Sequence, residues 1–179
     1  MSDREIMDIY RSGAQEKAFN LIVRNYGERL YWHIRRFTCS HEDTDDLLQE
    51  TFTKIWTALP SFREDARLFT WIYRIATNET LNFLRKQKVR SLLSSGSLAE
   101  EMEKKIDSDP YFSGNELQRI LMKSIQKLPN KQKAVFTMRY FDEMSYNEIA
   151  EITGSSVGSL KASYHHAYKK IKDIIESHF

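Results

Sequence analysis

Between Ser61 and Arg90 the side chains Phe69, Ile72, Tyr73, Ala76, Thr80, Phe83 and Leu84 recur at steps of three and four residues. That spacing places them on one face of a long helix, and such a face must be covered along its length by other elements. A second row, Trp71, Arg74, Asn78, Asn82 and Arg85, follows the same steps but is rotated away from the first. It carries indole, amide and guanidinium groups, which suit single-stranded nucleic acid: charge for phosphates, flat faces for unstacked bases. From Arg63 to Arg90 there are seven basic and three acidic residues. A core helix with a solvated basic face has the same pattern, and on this stretch alone it is the favoured reading, because charged faces are the norm for helices; the rest of the chain reverses that order. The segment Phe62 to Arg67 reads as a short loop ahead of a helix over about 66–89, with Asp65 or Ser61 available as N-cap.

The rest of the chain is also helical in pattern. Phe19, Ile22, Val23, Tyr26, Leu30, Ile34 and Phe37 mark an earlier amphipathic helix, and Ile6 to Tyr10 allow a turn or two before it. His33 and Trp32 read as packing or partly exposed positions rather than ligands. The acidic run His41 to Asp46 opens a helix with Leu48, Phe52, Ile55, Trp56 and Leu59 on its apolar side, closed by Pro60. Acids are favoured at a helix start, which accounts for the run without a metal. Left over on the polar side, Asp46, Gln49 and Glu50 form an acidic and amide patch suited to a basic surface of a protein partner. With six glycines, three prolines and no alternating apolar pattern, the chain reads as all-α.

Periodicity fades between Ser91 and Ser113, where five acids and two lysines accompany Ser, Gly and Pro110. This is the signature of a linker, with a short helix allowed at Leu98 to Ile106. Leu92, Leu93, Tyr111 and Phe112 are apolar enough to lie against something. Beyond Asn115, Leu117 to Leu128 form one helix and Val135 to Tyr140 another. Ser145 with Glu148 makes a capping box for a short helix ending before Gly154, and Ser155 or Ser156 caps the last helix. That last helix is apolar at Val157, Leu160, Tyr164, Ala167, Ile171, Ile174 and Ile175. From Ser155 to Lys172 it holds four lysines and no acid. A capped short helix, a glycine turn and a basic helix constitute a helix-turn-helix. Ser159, Lys161, Ala162, His165, His166, Lys169 and Lys170 would be exposed, the N-terminal half of the helix entering the major groove and the lysines finding phosphates. An αα-hairpin that merely folds is the bland alternative. Adjacent His165 and His166 diverge by about 100° on a helix and do not chelate a metal together.

The net charge of +2 is too small to argue for nucleic acid by itself. One cysteine, Cys39, excludes an internal disulfide framework, and no apolar run approaches a membrane span. A cytoplasmic, reduced protein is the expectation. No nucleophile–base pair, phosphate loop or metal set points to an enzyme, and no cofactor is called for.

Several segments together resemble the extracytoplasmic-function (ECF) group of sigma-70 family factors of bacterial RNA polymerase. DLLQETFTKIW at 46–56 resembles region 2.2, and FREDARLFTWIYRIATN at 62–78 resembles regions 2.3 and 2.4. Leu128-Pro129, SYNEIA at 145–150 and SVGSLK at 156–161 resemble region 4. The resemblance implies a three-helix region 2 bundle over residues 1–90, a flexible linker over 91–114 and a four-helix region 4 over 115–179. It implies that Asp46, Gln49 and Glu50 contact the coiled coil of the polymerase's largest subunit. Phe62, Arg63, Asp65, Arg67, Trp71, Arg74, Asn78 and Arg85 would recognise the −10 element, the loop taking a flipped base of the non-template strand. Ser159, Lys161, Ala162, His165, His166 and Lys169 would read the −35 element as duplex. Lys161 and His166 stand where the family often has Arg, which removes bidentate guanine contacts. Glu64 stands where the family tolerates small residues. The implied partners are core RNA polymerase, promoter DNA and, as is common in the family, an anti-sigma factor covering the same faces. Two rivals are a stand-alone helix-turn-helix regulator, which leaves the aromatic-basic helix unexplained, and a helical interaction protein that does not touch DNA.

Overall fold

Nine α-helices account for nearly all of the architecture in the computed structural model, which describes all 179 residues. They are α1 (Asp3–Arg11), α2 (Gln15–Thr38), α3 (His41–Ala58), α4 (Leu68–Leu93), α5 (Leu98–Ser108), α6 (Glu116–Gln126), α7 (Asn130–Phe136), α8 (Tyr146–Thr153) and α9 (Val157–Glu176). Single 3-10 turns lie at Leu59–Ser61 and Pro110–Phe112, and α7 runs on into a π-helical turn, Thr137–Phe141.

Helices α2, α3 and α4 pack around one another, with α1 laid across α2. Ile22, Leu30, Ile34, Ile55, Ile72 and Ala76 have no exposed surface. Each of the larger aliphatic side chains among them contributes about 1.5–3 kcal/mol through burial. The apolar row expected on α4 is the buried one: Ile72, Tyr73, Ala76, Thr80 and Leu84 are buried, and Phe69 and Phe83 half-buried.

The ends of α4 differ from expectation. It begins at Leu68, with Arg67 in the N-cap position and no side-chain cap, so neither Asp65 nor Ser61 caps it. It continues to Leu93, because no helix breaker precedes Gly96.

The connecting segment is largely helical. The short helix allowed by the sequence is α5, and Met102, Ile106 and Phe112 are buried with Met122, Ile125 and Phe136 of the following domain. Tyr111 lies against Trp32 with ring centroids 4.7 Å apart, while Leu92 and Leu93 remain exposed. Asp109 pairs with Arg35 of α2, and Lys105 with Asp43 of α3 at 3.1 Å.

In the C-terminal four helices the local signals are realised residue by residue. Ser145 and Glu148 form both hydrogen bonds of the capping box. Gly154 adopts φ 73°, a conformation that costs a side-chain-bearing residue energy, and Ser156 caps α9. The two helical groups are not separate: α8 packs on α4, and the π-helical turn packs on α2. Met138, Met144, Ile149 and Ile152 share one apolar cluster with Ile72, Tyr73 and Leu84.

Candidate nucleic-acid interface

The residues singled out from the sequence fall on three faces. On α3, Asp46, Gln49 and Glu50 are all exposed. Thr44, Leu47, Thr51 and Ile55 are buried on the opposite side of the same helix, which turns the acidic and amide groups outward.

The second face is the loop before α4 together with one side of that helix. Phe62 is half-buried and lies against Trp71, with ring centroids 5.0 Å apart. Arg63, Asp65, Arg67, Arg74, Asn78 and Arg85 are exposed, and Trp71 is half-buried. The row is thus continuous, with an aromatic pair at one end and guanidinium groups beside and beyond it. Arg85 donates to Asn82 at 3.0 Å within the row. Glu64 does not join the face; it pairs with Arg11 at 2.6 Å.

The third face is on α9. Lys161, Ala162, His165, His166 and Lys169 are exposed and Ser159 is half-buried, while Leu160, Ala167 and Ile171 fill the core behind them. Ser159 accepts from Lys131 at 3.3 Å, and the Lys161 ammonium lies 5.9 Å from the Tyr146 ring. No grouping of His, Cys, Asp and Glu side chains is placed to hold a metal ion. No helix is long and apolar enough to cross a membrane.

A set of contacts that the sequence pattern does not show joins the two helical groups. His33 is fully buried, and its Nδ1 donates to Asp142 at 2.7 Å while Nε2 meets Thr77 Oγ1 at 3.0 Å. A carboxylate can only accept, so Nδ1 carries the hydrogen. Asp142 also accepts from Arg36 at 3.1 Å. Burial pulls the Arg36 guanidinium below its ordinary pKa, opposed by the Asp142 charge. Arg67 donates to Glu148 at 3.2 Å, Thr70 to Glu151 at 3.0 Å, and Arg74 to the backbone carbonyl of Glu151 at 2.5 Å. Glu148 is held below the usual carboxylate range, chiefly by the Ser145 backbone N–H. No local sequence signal marks the contacts of Asp142, Glu148 and Glu151 with His33, Arg36, Arg67, Thr70 and Arg74, because those partners are more than 70 residues apart.

A helical bundle with an aromatic and basic row, joined to a helix-turn-helix with a basic recognition helix, defines a promoter-recognition protein. Comparison with known proteins agrees. The chain matches the family Sigma-70 region 2 over residues 22–90 and Sigma-70, region 4 over residues 118–171. It is 31% identical to the ECF RNA polymerase sigma-E factor of Haemophilus influenzae, over 98% of this chain and 96% of that one. It is 33% identical to the ECF RNA polymerase sigma-E factor of Escherichia coli K12, over 98% of this chain and 95% of that one. Among solved structures, CnrH in complex with the cytosolic domain of CnrY superposes with a TM-score of 0.73 at 24% identity, covering 99% of both chains. The sigma factor RpoE of Bartonella quintana, in complex with the anti-sigma factor NepR, gives 0.71 at 20% identity, over 89% of this chain and 98% of that one. The protein belongs to the ECF group of the sigma-70 family. It is a promoter-directing initiation factor of RNA polymerase.

Proposed function

We propose that the three faces divide the work of initiation. Asp46, Gln49 and Glu50 on α3 bind core polymerase. Phe62, Arg63, Asp65, Arg67, Trp71, Arg74, Asn78 and Arg85 hold the non-template strand of the −10 element. Ser159, Lys161, Ala162, His165, His166 and Lys169 read the −35 duplex. Residues 1–90 are the melting domain, 91–114 the connection and 115–179 the duplex-reading domain.

The observation that carries this reading is the continuous row from the Phe62–Trp71 ring pair to Arg85 on one side of α4. It offers stacking surface and charge side by side, as an unstacked strand requires. Each base held contributes roughly 1–3 kcal/mol, against a mean cost of about 1.4 kcal/mol for one lost duplex step. A few such captures tip melting once both DNA faces are anchored, and linking two weak modules supplies the remaining affinity. The chain supplies promoter choice and the strand trap; catalysis stays with the polymerase, and the site of action is the cytoplasm.

An anti-sigma factor is a further partner by the same reasoning, since the two solved structures described above hold one or the cytosolic domain of a partner protein. Run-off transcription of genomic fragments with core polymerase, plus and minus the chain, tests the proposal. Discrete transcripts dependent on the chain are expected. A chain that binds promoter duplex but forms no complex with core would favour the stand-alone regulator instead.

A further inference from the structure

We propose that the cavity between the end of α4, α5 and the junction of α6 with α7 binds a small amphipathic anion, a phosphate monoester on an apolar body, which fastens residues 91–114 to the helices on either side. The cavity measures about 640 Å³, within the range that holds small ligands. Lys133 lines it from α7 and is only 5% exposed. A buried charge is ordinarily paired with an opposite charge. The Lys133 ammonium has no carboxylate partner; its one acceptor is Gln126 Oε1 at 2.9 Å. An ammonium has three N–H donors, so the others have no protein acceptor. Burial pulls the pKa of Lys133 below its ordinary value, as expected of a cation without a counter-charge.

The surroundings select the charge and the shape of the occupant. Lys88, Lys123 and Lys127 line the same cavity, against a single carboxylate, Glu103. Lys123 pairs at 2.7 Å with Asp107, which lies outside the cavity, and Glu103 is 3.9 Å from Lys127. Lys88 and Lys133 are left without a counter-charge. The remaining wall is largely apolar, with Leu84 of α4, Leu98 and Met102 of α5, and Leu128 ahead of α7. Gln87 of α4 also lines the cavity, and its Oε1 is buried with no donor. A carboxylate only accepts, whereas a singly charged phosphate monoester accepts from lysine and donates through its hydroxyl to an amide oxygen. An apolar chain on that phosphate gains by lying on the leucines and Met102. Such an occupant touches α4, α5, α6 and α7 at once, which is how it holds the connecting segment.

Isothermal titration calorimetry of the full chain with decyl phosphate tests the site. Saturable binding at a single site is expected. Lys133→Met keeps the apolar bulk and removes the charge, and is expected to weaken binding about tenfold or more, the loss of a charge-assisted hydrogen bond. Leu98→Glu keeps the test decisive if Lys133→Met disturbs the fold, because Leu98 is the first residue of α5, where a carboxylate is favoured. It brings a competing anion to the cavity and is expected to weaken binding comparably. Lys17→Met makes the same charge change at an exposed position of α2 and should leave binding unchanged. Decanol and inorganic phosphate supply the apolar body or the head alone, and each is expected to bind at least about tenfold more weakly. With decyl phosphate bound, cleavage by protease within residues 91–114 is expected to slow in the wild type and not in Lys133→Met. The proposal is overturned by absence of binding to the wild type, or by equal binding to the wild type and both cavity variants, which would signal general association of a detergent. Decanol or inorganic phosphate binding as tightly as decyl phosphate would also overturn it, as would cleavage that saturating decyl phosphate leaves unchanged.

Discussion

The ring of His33 on α2 donates through Nδ1 to the carboxylate of Asp142, 2.7 Å away and 109 residues further along the chain. Both side chains are shielded from solvent, and Arg36 bonds the second oxygen of the same carboxylate. One short acidic side chain in the turn after the π-helical segment thus fixes the second helical group against the first.

Asp142→Ala leaves the His33 N–H and part of the Arg36 guanidinium without their acceptor. Loss of a partner for a buried polar group costs about 1–3 kcal/mol. The expected result is a lower urea midpoint and faster proteolysis in the 91–114 segment, with helix content at low denaturant unchanged. An unaltered midpoint would show that the pair contributes nothing net to the closed arrangement.

Trp71→Ala removes the half-buried indole that lies against Phe62. Stacking on an aromatic ring is worth roughly 1–3 kcal/mol per base, so open-complex formation should fall about tenfold or more. Affinity for core polymerase, measured by gel filtration or fluorescence, should hold. Equal loss of both would place Trp71 in the fold rather than at the strand.

Glu50→Lys reverses a charge on the exposed side of α3, away from the buried Leu47, Thr51 and Ile55. Surface changes of this kind alter stability by less than about 0.5 kcal/mol. The melting temperature should therefore stay put while core binding weakens several-fold and becomes less salt-sensitive. Unchanged core affinity would remove Glu50 from the interface.

Burial pushes the Cys39 thiol up to about 12 and, in the same direction, the Tyr73 phenol to about 12. The folded protein therefore keeps these protons where the unfolded chain has begun to release them. Their contribution to stability is complete below the unfolded thiol's ordinary pKa of about 8.5 and is lost as pH rises toward the folded values. Denaturation followed from neutral pH upward should show stability falling from about pH 8.5. The native thiol should resist alkylation at pH 8 and react on unfolding. Rapid native labelling would contradict the burial of Cys39.

What was legible in the sequence was local. The capping box of Ser145 and Glu148, the left-handed Gly154 and the Ser156 cap act within a few residues, so their geometry follows from the residues themselves. The apolar row of α4 was equally readable. Its start was not, because Asp65 and Ser61 are good caps that the chain does not use, and Arg67 holds that position instead. The residues of the three candidate faces stood out because each set lies close in sequence, on α3, on α9, and on α4 with the loop before it. The closure of α8 on α4 could not: Glu148 and Glu151 look like ordinary solvent-facing acids until a helix from the other domain brings Arg67, Thr70 and Arg74 to them. His33 looked like a packing residue for the same reason, its partner lying in a distant turn.

Permanganate reactivity of thymines at the −10 element, in a complex of core polymerase, this chain and a promoter found by run-off, tests the central claim most directly. Reactive thymines are expected only when the chain is present, and are expected to vanish with Trp71→Ala while the complex persists. Thymines that become reactive with core polymerase alone, or that stay reactive with Trp71→Ala combined with Arg67→Ala and Arg74→Ala, would contradict the account of α4 as the strand-holding helix.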